Sequence, residues 1–280
     1  MEKEENKTIV QTKTKEAPKF LFQTQVETVL LPSKGLTYPE DNQLSSGEVD
    51  LYYPDTSHEE ILMSQKLIKN NTVVDKFLKS VIASDINYND LIPGDKSALM
   101  IAARILLYGK NYETEVKCRH CGETQPAIID LTTFKDAEID YNLLNRENRY
   151  TFECPNRKEV ITFKLLTTLD EAEVEKEIKF RKDFDKKSNR EADTDYEYST
   201  RLKHMIVSVE YNHNGNKGVI SDPKELNAYK MLSLDSKEFK KYLKLVNPTI
   251  DTSTSFVCKE CGETNEIKMP MQASFFWPTT

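Results

Sequence analysis

The chain has 280 residues, 38% of them hydrophobic and 30% charged, with a formal charge of −7 and a mean hydropathy of −0.62. That length supports a buried core in one large or two small domains. The acidic balance argues against nucleic-acid binding driven by counterion release, and no run of roughly 18 apolar residues offers a membrane span.

Residues 1–19 are rich in Lys, Glu and Thr with few large apolar side chains, which predicts a disordered arm. The first twenty residues lack the apolar stretch of a signal peptide. The chain is therefore expected in a reducing cytosol, where cysteines at ligand spacing bind metal rather than pair as disulfides. Residues 20–38 read as an extended segment ending in the turn Pro32-Ser33-Lys34-Gly35, and 48–53 as a short strand. Ser57-His58-Glu59-Glu60 has the pattern of a capping box opening a helix with Ile61, Leu62 and Leu67. A second helix over 73–82 places Val74, Phe77, Leu78 and Val81 on one face. Asp95 is placed to cap a third, carrying Leu99, Met100, Ala103, Leu106 and Leu107, with Gly109 at its C-terminal stop.

Further along, 150–154 and 159–165 read as a hairpin around Pro155-Asn156-Arg157-Lys158. Thr168-Leu169-Asp170-Glu171 predicts a capping box for a charged helix to about Lys187, and 188–195 a loose polar stretch. A helix over 195–209 is expected to end at the turn-rich 212–218. Pro223 suits the first turn of the next helix. Asp235-Ser236-Lys237-Glu238 is placed to cap a last one, with Phe239, Tyr242, Leu243 and Val246 inward and Asn247-Pro248 as its stop.

The clearest chemistry lies in two near-copies, Cys118-Arg119-His120-Cys121-Gly122-Glu123-Thr124-Gln125 and Cys258-Lys259-Glu260-Cys261-Gly262-Glu263-Thr264-Asn265. Two residues between cysteines let both thiolates reach one ion, and the following glycine allows a positive φ that turns backbone N–H groups toward sulfur. Two such knuckles form a closed tetrahedral Zn2+ site of four protein ligands, Cys118, Cys121, Cys258 and Cys261, which is structural because no position is left for an activated water. The separation is unusual, with Cys258 lying 137 positions after Cys121: either one ion gathers both knuckles across an inserted region, or each knuckle pairs with something else. The shared ion is favoured because the knuckles are sequence twins without other nearby ligands. His120, inside a knuckle, is expected to face away from the ion. Cys154 reads as a buried small hydrophobe, or Phe152-Glu153-Cys154-Pro155 as half of a degraded third knuckle. Neither the histidines nor the carboxylate-rich helix near 170–185 forms a catalytic constellation. At the C-terminus, Phe275, Phe276 and Trp277 have two open roles: sealing the knuckle module against the helical unit, or anchoring in a neighbouring subunit.

The expected fold class is α+β, mostly helical, with a four-cysteine zinc-ribbon-like module formed by two distant knuckles. The chain divides into the arm (1–19), an extended segment plus helical unit (20–116), a knuckle module (117–131 with 251–280) and an inserted helical region with short hairpins (132–250).

Several stretches resemble the baseplate hub proteins of contractile-tailed, T-even-type bacteriophages. They are Leu31-Pro32-Ser33-Lys34-Gly35 with Tyr38-Pro39, Asp90-Leu91-Ile92-Pro93-Gly94-Asp95 with Arg104 to Gly109, and Arg201-Leu202-Lys203-His204-Met205-Ile206. The terminal knuckle with Met269-Pro270-Met271 and Phe275-Phe276-Trp277-Pro278 is the most specific part. The resemblance covers about residues 25–280. It implies a non-enzymatic role in building the hub of the virion tail baseplate, in contact with other phage tail proteins and assembled in the host cytoplasm, either as a resident subunit or as a factor that leaves. No catalytic residue is carried over. Two rivals stand beside it: a zinc-ribbon nucleic-acid or transcription-associated protein, which a basic face around Lys117, Arg119 and Lys259 would favour, and a metal-dependent hydrolase, which needs an open coordination position.

Overall fold

A buried carboxylate organises the first third of the chain. The computed structural model describes residues 25–188, 196–213, 215–271 and 273–277; the expected arm and the stretch 189–195 lie outside the described residues. Strands β1 (Val26–Leu30) and β2 (Glu48–Tyr52) pair antiparallel. Helices α1 (Thr56–Met63), α2 (Gln65–Lys69), α3 (Val73–Val81) and α4 (Pro93–Tyr108) follow. Asp95 does not cap α4: Ile92 holds that position and Pro93 begins the helix. Its carboxylate instead turns inward, accepting from the Ser33 N–H at 3.0 Å, the Ser33 hydroxyl at 2.7 Å and the Tyr38 hydroxyl at 2.5 Å. The turn after β1 is thereby fastened to α4. The α1 cap also differs from the sequence expectation. Asp55 accepts from the Ser57 N–H while His58 Nδ1 accepts from the Asp55 N–H, because an aspartate two residues upstream satisfies the free N–H groups first.

The elements that carry the knuckles come next. Strands β3 (Asn111–Lys117) and β4 (Thr124–Asp130) form one hairpin, and β11 (Ser253–Val257) and β12 (Thr264–Lys268) another. The short strands β5 (Lys135–Asp136) and β10 (Ile250–Asp251) follow the first hairpin and precede the second, and they pair antiparallel. The Ala137 N–H extends this ladder to the Thr249 carbonyl at 2.8 Å. Gly94 fixes the same place from below. A Cβ there would stand 1.8 Å from the Pro248 carbonyl oxygen, so only glycine lets the start of α4 lie against this backbone.

Between the hairpins, β6 (Tyr150–Glu153), β7 (Val160–Phe163), β8 (Ile206–His213) and β9 (Asn216–Ile220) make a four-stranded antiparallel sheet in that order. It is accompanied by α5 (Thr168–Lys187), α6 (Glu197–Met205), α7 (Pro223–Ala228) and α8 (Ser233–Val246). The sequence expectation of a helix through Val209 and a plain turn at 212–218 gives way to β8 and β9. The β-branched run Ile206-Val207 with Val209 fits a pleated surface, and pairing with β7 outweighs the helical pattern. Helix and strand are therefore more evenly mixed than a mostly helical chain. The α5 box is Thr167 with Asp170, one residue early, because Thr168 instead donates its N–H and hydroxyl to the Leu91 carbonyl at 2.7 and 2.9 Å. A single apolar cluster runs through all these parts, joining Phe77, Phe163, Phe239 and Phe276.

Burial raises the Asp95 carboxyl to about 6 although Tyr38 and Ser33 donate to it. A folded value above the ordinary one means that the folded chain takes up a proton, so this group favours folding increasingly as pH falls from about 6 towards 4. Relative to Asp95→Ala, wild type should gain up to about 3 kcal/mol across that window, measured by urea unfolding at several pH values. Gly94→Ala should lose about 3 kcal/mol by overpacking against backbone that cannot yield, read in the same assay.

Candidate metal centre

Both knuckles are built by one backbone pattern. In the first, the Cys118 N–H donates to the Glu123 carbonyl at 2.8 Å and the Gly122 N–H to the Cys118 carbonyl at 3.1 Å. In the second, the Cys258 N–H donates to Glu263 and the Gly262 N–H to Cys258, both at 2.9 Å. Gly122 and Gly262 sit at φ +80° and +73°, in the left-handed region that favours glycine. Each knuckle caps its hairpin with the same register, Lys117 opposite Thr124 and Val257 opposite Thr264.

The β5–β10 ladder brings the two caps face to face. The four sulfurs of Cys118, Cys121, Cys258 and Cys261 all lie within 4.8 Å of one another, with Cys118 to Cys261 at 3.7 Å and Cys121 to Cys258 at 3.6 Å. A tetrahedron of Zn–S bonds near 2.3 Å has edges of about 3.8 Å, so the spacing suits one ion shared by both knuckles. None of the five cysteines is paired in a disulfide. His120 is exposed and stands outside the sulfur cluster; it contributes its backbone N–H, 3.4 Å from Cys118 Sγ.

The residue after each Cys-x-x-Cys-Gly-Glu-Thr crosses to the other knuckle. Gln125 accepts the Lys259 N–H at 2.8 Å and donates to the Val257 carbonyl at 3.1 Å. Asn265 accepts the Arg119 N–H at 2.8 Å and donates to Cys118 Sγ at 3.4 Å. Each amide thus holds the partner loop by the N–H immediately after its first cysteine, and both amides are buried. In sequence this pair is visible only as the eighth residue of a repeat; its reciprocity needs the two hairpins to meet.

Electrostatics inside the cluster are lopsided. Backbone N–H groups, that of Cys121 foremost, bring the Cys118 thiol down to about 6. At Cys261 the Glu263 backbone N–H works in the same direction, yet burial and the three neighbouring thiols win and push it to about 12. Four thiolates this close repel one another, and a divalent cation among them removes the conflict. The donor set therefore fits a soft, tetrahedral ion.

The C-terminal aromatics lie beneath this site. Phe275 stacks on Tyr112 of β3 with centroids 5.3 Å apart and Phe276 meets Phe77 of α3 edge-on at 5.0 Å. Arg104 of α4 lies over the Tyr112 ring, 5.6 Å from its centroid. Phe275 and Phe276 are buried in this chain's own core and Trp277 is half-buried. The first two rings thus cover apolar surface that the hairpin base and α3 present. Cys154 is buried in the sheet region, outside the cluster.

Asn265→Ala removes an acceptor, a donor to sulfur and a donor to the Glu263 carbonyl. It should cost about 2 kcal/mol, against about 1 kcal/mol for Gln125→Ala, and should weaken metal retention more. Thermal unfolding and competition with a chromogenic chelator read the two effects.

A family model described as T4 bacteriophage base plate protein matches residues 36–277. No curated protein matches the chain, and no solved structure does. That match runs from just past the Ser33 turn through the helical unit, both knuckles and everything between them to Trp277, and on this ground the chain belongs to the T4 bacteriophage base plate protein family.

Proposed function

We propose that this chain is a non-enzymatic component of the baseplate hub, in which Cys118, Cys121, Cys258 and Cys261 hold one structural Zn2+ that clasps the two hairpins together. Membership of the family supports a place among phage baseplate components in the virion tail, beside other tail proteins. The observation that carries the metal half of the reading is the four sulfurs at tetrahedral spacing from hairpins 137 positions apart. An ion so held has all four positions filled by protein, which suits a structural role and leaves no site for an activated water. Its binding free energy counts directly towards folding. Lys117, Arg119 and Lys259 at the clasp are matched in number by Glu123, Glu260 and Glu263, which weakens the case for a basic nucleic-acid face there. Among the described residues no helix is long and apolar enough to cross a membrane. Hub contacts then fall to the surface of the clasped body, with Phe275 and Phe276 as its internal seal.

Affinity purification of the intact chain from infected cells, with metal quantified in the same sample, tests this. The expected result is one zinc per chain together with baseplate proteins; recovery of RNA polymerase subunits or nucleic acid would overturn the hub reading. Cys258→Ser or a strong chelator should lower the melting temperature by about 10 °C or more, given the free energy that structural zinc sites contribute. An unchanged melting temperature in both would remove the metal half. The ligands bind as thiolates, so retention of the ion should fall as the pH is lowered.

A further inference from the structure

The turn joining β6 and β7 reproduces the backbone of the two knuckles. The Cys154 N–H donates to the Glu159 carbonyl at 2.8 Å and the Lys158 N–H to the Cys154 carbonyl at 2.9 Å. Lys158 stands where the knuckles have glycine and adopts φ +57°. The strands meet the turn in the same register, Glu153 opposite Val160. Aligned on these bonds, Cys154 matches Cys118 and Cys258, Arg157 matches Cys121 and Cys261, and Glu159 matches Glu123 and Glu263. The departures are equally informative. Pro155 lacks the N–H that Arg119 and Lys259 donate to the partner's amide, and Ile161 replaces that amide. This copy has lost both halves of the reciprocal lock.

A carboxylate occupies the mouth of the turn instead. Asp235, fully buried, does not cap α8, where Leu232 holds the N-cap position. Its Oδ1 accepts the Asn156 N–H and side-chain amide, both at 2.8 Å, and its Oδ2 accepts the Arg157 N–H at 3.3 Å. The same stretch of chain grips the turn twice more. The Tyr229 hydroxyl donates to Glu159 Oε2 at 2.7 Å, and Arg157 Nη1 donates to the Lys230 carbonyl at 3.1 Å.

We propose that residues 154–159 form a third knuckle closed by the Asp235 carboxylate rather than by an ion, so that the β6–β9 sheet and α8 are locked by their own metal-independent clasp. The inserted region then holds its fold whether or not the distant cysteine clasp is loaded. The carboxylate satisfies the Asn156 and Arg157 N–H groups, whose counterparts in the first knuckle, those of His120 and Cys121, point to Cys118 Sγ, and Arg157 supplies positive charge beside it. Cys154 is left as a protonated, buried thiol, since burial and the nearby Asp235 and Glu159 charges push it up to about 11.

The five thiols report on both clasps. In the metal-loaded full chain, reaction with a chromogenic aromatic disulfide should be slow at every cysteine. Addition of a chelator should release Cys118, Cys121, Cys258 and Cys261, assigned by mass spectrometry, while Cys154 stays protected. Asp235→Ala should make Cys154 react about tenfold faster or more, by loss of three hydrogen bonds to a charged acceptor, with metal content unchanged. Asp235→Asn, which keeps one acceptor oxygen, should fall between, and it serves if the alanine variant does not fold. Exposure of Cys154 by the chelator alone, or equal protection in wild type and both variants, overturns the proposal. If the isolated chain holds no metal, four thiols react at once and a protected Cys154 still supports the third clasp, so failure of the zinc reading is separately visible.

Discussion

The ladder between β5 and β10 is two residues long, and the cysteine site depends on it. It sets the end of one hairpin beside the start of another, and the Ala137–Thr249 bond and Gly94 press that junction onto the first turn of α4. Closing a segment of 137 positions costs about 4 kcal/mol of chain entropy beyond a constant. The growth with length is logarithmic, so a long insertion between the two cysteine pairs is tolerated; the proposed ion, at the order of 10 kcal/mol that structural zinc sites contribute, would outweigh it. The sheet and helices between the knuckles offset more of it by joining the same apolar cluster.

With the hairpins side by side, their loops complete one another. Gln125 and Asn265 each close the opposite turn, which places four sulfurs at a spacing set by backbone and amides. Such a frame is preorganised, and an ion binding to it has little left to rearrange. Beneath it, the Tyr112–Phe275 stack and the Phe77–Phe276 contact tie the chain's last described turn to β3 and α3. The two hairpins are thereby held against one another, because the reciprocal amides, the aromatic contacts and the α4 junction act on neighbouring stretches of the same two regions.

Two of the aspartates expected at helix starts show how local signals are redirected. Asp95 and Asp235 each lie within the first turn of a helix, where an acid suits the dipole, yet each directs its oxygens to a distant loop. Local capping and long-range fastening require the same residue type. Only the approach of the Ser33 turn in one case and the Asn156 turn in the other decides between them. The early start of α5 at Thr167 has a similar long-range origin, since Thr168 donates to the Leu91 carbonyl, whereas at α1 the neighbouring Asp55 takes the free N–H groups first.

The amino-acid sequence by itself determined the two knuckles with their four cysteines, α3, α4 with its Gly109 stop, the β6–β7 hairpin and Pro223 at the start of α7. Each is written in a short window: residue spacing, a glycine needing positive φ, or apolar residues recurring every three or four positions. Tertiary structure decided the rest. The β8–β9 half of the sheet overrode a helical pattern because its pairing partner β7 lies more than forty residues upstream. Gln125 and Asn265 acquired their roles, and Phe275 and Phe276 their burial, only when segments more than a hundred residues apart met. Hydrogen-bond reciprocity and ring stacking depend on distances in space, which no local spacing along the chain encodes.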